Sequence, residues 1–94
     1  MNFIERIRII REERQMPQRQ VAAALEIDTV TYCKIEKGER RAKCDQVALI
    51  ADILKTDKEE LLVLWLADQV IVPIANERVI ANKALNIVKE NIMK

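Results

Sequence analysis

The sequence contains no histidine. That absence removes imidazole metal ligation, histidine-based proton transfer and the Ser–His and Cys–His pairs that activate nucleophiles. One glycine, two prolines and one each of Phe, Trp and Tyr are equally telling. A sandwich or barrel of short strands needs a turn signal roughly every 8–12 residues, and that punctuation is missing. The two cysteines, Cys33 and Cys44, match neither a C-x-x-C redox pair nor half of a zinc knuckle. They build no disulfide framework, so both thiols are expected to be reduced, in a cytoplasmic setting. Nothing in the composition calls for a metal or a cofactor. The first apolar segment is interrupted by Arg6, Arg8 and Arg11, unlike the core of a signal peptide. The run from Leu61 to Leu66 is too short to span a bilayer and is followed by Asp68, Gln69 and Pro73. Together these gaps lead us to expect a cytoplasmic, non-enzymatic chain with no membrane partner.

What remains is an aliphatic chain on the scale of one domain. Its 94 residues are 50% hydrophobic, mostly Ile, Leu, Val and Ala. An all-α fold is the expectation. The formal net charge of +1 conceals an asymmetry. Residues 1–43 carry ten Lys/Arg against seven Asp/Glu, whereas residues 44–94 carry six against eight. The excess is concentrated in the connector 38–43, Gly-Glu-Arg-Arg-Ala-Lys.

Periodicity divides the chain into helical segments. The first, Phe3 to Arg14, places Ile4, Ile7, Ile10 and Arg11 on one side and stops before Pro17, which suits the first position of the next helix. The second, Gln18 to Leu25, turns Val21, Ala22 and Leu25 inward. Asp28 is a good cap for a third segment, Thr29 to Lys37, which ends at Gly38. Tyr32 and Ile35 then face inward, leaving Thr29, Val30, Thr31 and Lys34 outside. A fourth helix, Cys44 to Leu54, has Val47, Ile50, Ala51 and Leu54 on one face. Thr56 or Asp57 can cap a fifth, with Glu59 and Glu60 in its first turn. This helix is apolar nearly all round from Leu61 to Ala67, which calls for burial on more than one side. Pro73 is a natural break before a last segment, Asn76 to Ile92. The expected division is therefore 1–70 and a helical extension over 71–94.

Two short helices joined by a tight turn, the second presenting small polar groups, form the pattern of a helix-turn-helix. Residues 18–38, QRQVAAALEIDTVTYCKIEKG, resemble the DNA-binding domain of Cro/repressor-type (XRE family) transcriptional regulators. The points of agreement are Gln18 opening the second helix, the small Ala22, the core positions Val21, Leu25, Tyr32 and Ile35, and the ending Ile35-Glu36-Lys37-Gly38. The resemblance extends from about Phe3 to Leu66 and implies a five-helix repressor-like domain binding double-stranded DNA. Gln18, Thr29, Val30, Thr31 and Lys34 match the positions that face the major groove. Thr hydroxyls can donate or accept at base edges, Val30 can touch a thymine methyl, and Lys34 can reach guanine O6 and N7. Arg19, Lys37, Arg40, Arg41 and Lys43 are the candidates for phosphate contacts, which fix register and make affinity salt-dependent. The resemblance also implies a pair between Arg11 and Glu36. The sequence departs from the family at Glu26 and Gln15, where glycine is common.

A single helix-turn-helix reads few base pairs, and a dimer extends the site by placing two reading helices about one DNA turn apart. Leu61, Leu62, Leu64, Trp65 and Leu66 exceed the needs of a five-helix core. Leu62, Trp65, Leu66, Ile80, Ala84, Leu85, Val88 and Ile92 are therefore expected at a homodimer interface. Small stand-alone members of this type resemble the controllers of restriction–modification systems, which regulate their own gene and that of the endonuclease. An antitoxin holding a toxin with its C-terminal segment, or an interaction adaptor that has lost DNA binding, are the alternatives. RNA polymerase is a further partner left open.

Overall fold

The computed structural model describes residues 2–74 and 78–93, except for the side chains of 71–74 and 78. All regular structure among these residues is helical: α1 (Phe3–Glu13), α2 (Gln18–Ala24), α3 (Thr29–Glu36), α4 (Cys44–Leu54), α5 (Lys58–Ile74) and α6 (Arg78–Met93).

Local chemistry explains where each helix begins. Asn2 starts α1 by accepting from the Glu5 amide at 2.9 Å, and the Glu5 carboxylate reaches back to the Asn2 amide at 3.5 Å, a capping box. Asp68, far along the chain, accepts the Phe3 N–H at 3.0 Å and satisfies another free donor of the same terminus. Pro17 is the N-cap of α2 rather than its first helical residue, with extended ψ of 152°. Asp28 caps α3, accepting from the Thr31 amide at 2.7 Å. Of the two candidate caps for α5, Asp57 makes a side-chain bond, accepting from Glu59 N at 3.3 Å.

Four helices end in the same hydrogen-bond pattern. After α1, Gln15 donates to Glu12 O and Met16 to Arg11 O; after α2, Glu26 donates to Ala23 O and Ile27 to Ala22 O. After α3, Gly38 donates to Ile35 O and Glu39 to Lys34 O; after α4, Lys55 donates to Asp52 O and Thr56 to Ala51 O. Each is the paired closure of a Schellman motif, built on one left-handed residue. Those residues are Gln15 (φ 53°), Glu26 (φ 58°), Gly38 (φ 80°) and Lys55 (φ 53°). One is glycine. The chain thus makes four tight helix ends with a single glycine by accepting left-handed strain at three ordinary residues.

The core is formed by one face from each of the first five helices. Phe3, Ile7 and Ile10 of α1 meet Val21, Ala22 and Leu25 of the second segment, Tyr32 and Ile35 of α3, and Val47, Ile50, Ala51 and Leu54 of α4. Leu61 closes the core from α5 and is fully buried, so it is not part of any surplus. Leu62, Leu64 and Trp65 also pack against this core. The helix α5 continues across the expected boundary at residue 70 and ends at Ile74, one residue past Pro73. Proline has no N–H to donate and its ring crowds the carbonyl four residues earlier, in keeping with a helix that ends within one residue of Pro73. Beyond it, α6 buries Ala81 and leaves Val79, Ile80, Leu85, Ile87, Val88, Ile92 and Met93 exposed.

Candidate nucleic-acid interface

The helix pair α2–α3 is held by a line of hydrogen bonds that begins at α1. Arg11 Nε donates to Glu36 Oε2 at 2.8 Å and Nη2 to Oε1 at 3.1 Å, a two-point grip on the last residue of α3. The remaining guanidinium nitrogen donates to Met16 O at 2.9 Å, fixing the chain between α1 and α2. Gln18 of α2 donates from Nε2 to Glu36 Oε1 at 3.2 Å and accepts the Cys33 thiol at 2.8 Å through Oε1. One buried carboxylate therefore ties α1, α2 and α3 together.

The electrostatics follow from this geometry. Burial alone would raise the Glu36 pKa, but the bonds it accepts, led by that from Arg11, hold it below the ordinary carboxylate value. Arg11 is shifted upward, chiefly by the same bond. Tyr32, fully buried beside them, has its phenol pushed far above the normal range by desolvation and by the facing Glu36. At the other end of α3, the Asp28 carboxyl is lowered by its bonds to Thr31, with the charges of Lys34 and Arg40 adding to the effect.

With α3 held from behind, its outer face is open. Thr29, Val30 and Lys34 are exposed, Val30 to 66% of its area, and Thr31 is half-buried. An exposed valine at this place is costly to solvation and well suited to an apolar contact such as a thymine methyl. Gln18 differs from the other four candidate base-reading residues. Both ends of its amide are engaged inside the protein, so a base contact would require it to exchange those bonds.

The basic connector is pinned in the middle. Ala42 is buried, and its carbonyl accepts the Trp65 indole N–H at 2.8 Å. Arg40 N donates to Lys34 O at 3.2 Å, which keeps the segment against the end of α3. Arg40, Arg41 and Lys43 flank the anchor and are exposed, as are Lys37 and Arg19. No local signal in the sequence marks this anchor: Trp65, expected at an interface between subunits, is half-buried and its indole N–H is engaged within its own chain. Leu62 is likewise turned to its own core. Of the residues expected at the interface, Leu66, Ile80, Leu85, Val88 and Ile92 are exposed, and Ala84 is half-buried.

An all-helical core, two helices crossing at a tight turn and an open second helix define a DNA-binding regulator of the helix-turn-helix class. Residues 3–64 match the family model described as "Helix-turn-helix domain", and the chain belongs to that family. No curated protein and no solved structure matches the chain. Among the described residues, no helix is long and apolar enough to cross a membrane.

Proposed function

We propose that the protein is a Cro/repressor-type regulator that binds a pseudo-palindromic operator as a homodimer, with α3 of each subunit in the major groove. The observation that carries this reading is the open face of Thr29, Val30 and Lys34 beside a connector whose exposed Arg40 and Arg41 precede the buried, hydrogen-bonded Ala42. Thr29, Val30, Thr31 and Lys34 read base edges. Arg19, Lys37, Arg40, Arg41 and Lys43 neutralise phosphates and set the register. Gln18, bound to Glu36 and Cys33, acts first as a spacer between α2 and α3 and reaches DNA only by giving up those bonds.

The dimer is assigned to the exposed stripe of α6, Ile80, Leu85, Val88 and Ile92, continued by Leu66 on α5. So many large aliphatic residues in water on one helix are a cost that pairing removes. Binding to successive major grooves on one face of DNA requires the two copies of α3 to lie about 34–36 Å apart. Control of its own gene or of a restriction–modification operon is the regulatory role that fits a small regulator of this kind. Sedimentation equilibrium with and without a short duplex tests the assembly. A dimer at micromolar concentration that binds one duplex supports the proposal, and a concentration-independent monomer removes its two-fold part.

A further inference from the structure

The connector between α3 and α4 carries Arg40, Arg41 and Lys43, all exposed, on backbone that belongs to no helix. Its two ends are tied to the neighbouring helices. The Glu39 and Arg40 amides both donate to Lys34 O, at 2.9 and 3.2 Å, and the Lys43 amide donates to Gln46 Oε1 at 2.9 Å. Between those ties, one hydrogen bond to the backbone is found among the described residues. The Trp65 indole N–H donates to Ala42 O at 2.8 Å, from a residue 23 positions further along the chain. Trp65 packs against the core and Ala42 is only 3% exposed, so neither end of this bond is free to wander. Helix α5 thus grips the connector at the residue between Arg41 and Lys43.

Like charges at Lys37, Arg40, Arg41 and Lys43 repel one another, and an unheld segment carrying them spreads over many conformations. Freedom that is lost on meeting DNA subtracts from affinity, whereas a connector fixed beforehand has little left to lose. We propose that Trp65 is a positioning residue for DNA binding: its indole N–H holds the connector so that Arg40, Arg41 and Lys43 meet the phosphates already in place. The proposal rests on the connector being a phosphate site and adds to it a residue of α5, outside the helix-turn-helix. Its consequences are specific. Losing the N–H weakens binding to every sequence alike, since phosphate contacts carry no sequence information. The charges themselves remain, so the salt dependence keeps its slope, unlike the case where the arginines are removed.

Trp65 is the chain's one tryptophan, so biosynthetic replacement of tryptophan by 3-benzothienylalanine alters this position alone. Sulfur then stands where the N–H was, in a ring of nearly the same size. Trp65→Phe is the second variant, and circular dichroism with thermal melting checks that both are folded. Binding to a mixed-sequence duplex of about 20 bp is measured by anisotropy between about 50 and 200 mM salt. The expected result is binding at least about fivefold weaker than wild type at each salt, with an unchanged slope. In an Arg40→Gln/Arg41→Gln background the same replacement should weaken binding less than about twofold, because its effect passes through those charges. A folded analogue protein that binds like wild type overturns the proposal. An equal loss in both backgrounds also overturns it, since Trp65 would then support the fold in general. If Arg40→Gln/Arg41→Gln alone binds like wild type, the connector is not a phosphate site, and the proposal falls together with the reading beneath it.

Discussion

Arg11 and Glu36 face each other through two hydrogen bonds, at 2.8 and 3.1 Å, and join the first helix to the end of the third. The Glu36 side chain is only 3% exposed. Removing one partner leaves the other charge buried without compensation. Glu36→Ala and Arg11→Ala are therefore each expected to destabilise the protein by on the order of 3 kcal/mol in urea denaturation. An Arg11→Met/Glu36→Met double variant should lie closer to wild type than either, because it removes both desolvation penalties together. The pair also sets a pH dependence. The folded pKa of Glu36 lies below its unfolded value, so its contribution is present above the unfolded value of about 4.3 and is lost as pH falls through the folded one. Wild type should lose stability on acidification more steeply than Glu36→Gln. Parallel pH profiles for the two would refute this account of the pair.

The left-handed helix ends give a prediction of opposite sign. Gln15, Glu26 and Lys55 hold φ between 53° and 58°. Replacing each with glycine should relieve up to about 1 kcal/mol of strain, partly offset by the extra freedom of the unfolded chain. A gain of 1 kcal/mol corresponds to roughly 4–8 °C in Tm for a domain of this size. Gly38→Ala should do the reverse, since φ is +80° and an added Cβ would stand 3.2 Å from Ile4 Cδ1. A fall in Tm for Glu26→Gly would show that its side chain has a role beyond the turn.

These ends also show what the sequence could and could not convey. Positions fixed by local chemistry were legible: the Asp28 cap, the Gly38 terminus and the span of α4; the departures from glycine at Gln15 and Glu26 came from the family resemblance. The apolar spacing located the core residues of α2, α3 and α4. What escaped were contacts between residues far apart in the chain. Nothing local links Trp65 to the Ala42 carbonyl, Asp68 to the Phe3 amide, or Gln18 to Cys33 and Glu36. For the same reason Leu61 and Leu62 read as surplus, although Leu61 is a core residue and Leu62 packs against that core. The end of α5 lies one residue past the break that Pro73 marks.

For the connector, the prediction is a salt slope. Each phosphate neutralised contributes about −0.9 to the slope of log K against log [salt] on duplex DNA. Arg40→Gln/Arg41→Gln should lower the magnitude of that slope by about 2 and weaken binding to all sequences alike. Fluorescence anisotropy between 50 and 200 mM salt (roughly the range where such losses are large) measures it. A loss confined to one sequence would place these arginines on bases instead.

Leu85→Lys/Val88→Lys tests the dimer surface. Leu85 and Val88 are 42% and 48% exposed in the single chain, so the double change should leave the secondary structure intact while producing a monomer by sedimentation. Weaker operator binding should accompany it. Loss of helicity in the monomer would mean that α6 is held against its own chain through these residues.

The central claim is that α3 reads DNA sequence, and capture of fragmented source-genome DNA tests it most directly. Wild type and Thr29→Ala/Thr31→Ala/Lys34→Ala are compared at about 150 mM salt, where non-specific binding is weak. The account predicts that wild type enriches a pseudo-palindromic sequence and that the folded triple variant enriches none. If the variant recovers the same sequence as wild type, the third helix is not the reader and the account is contradicted.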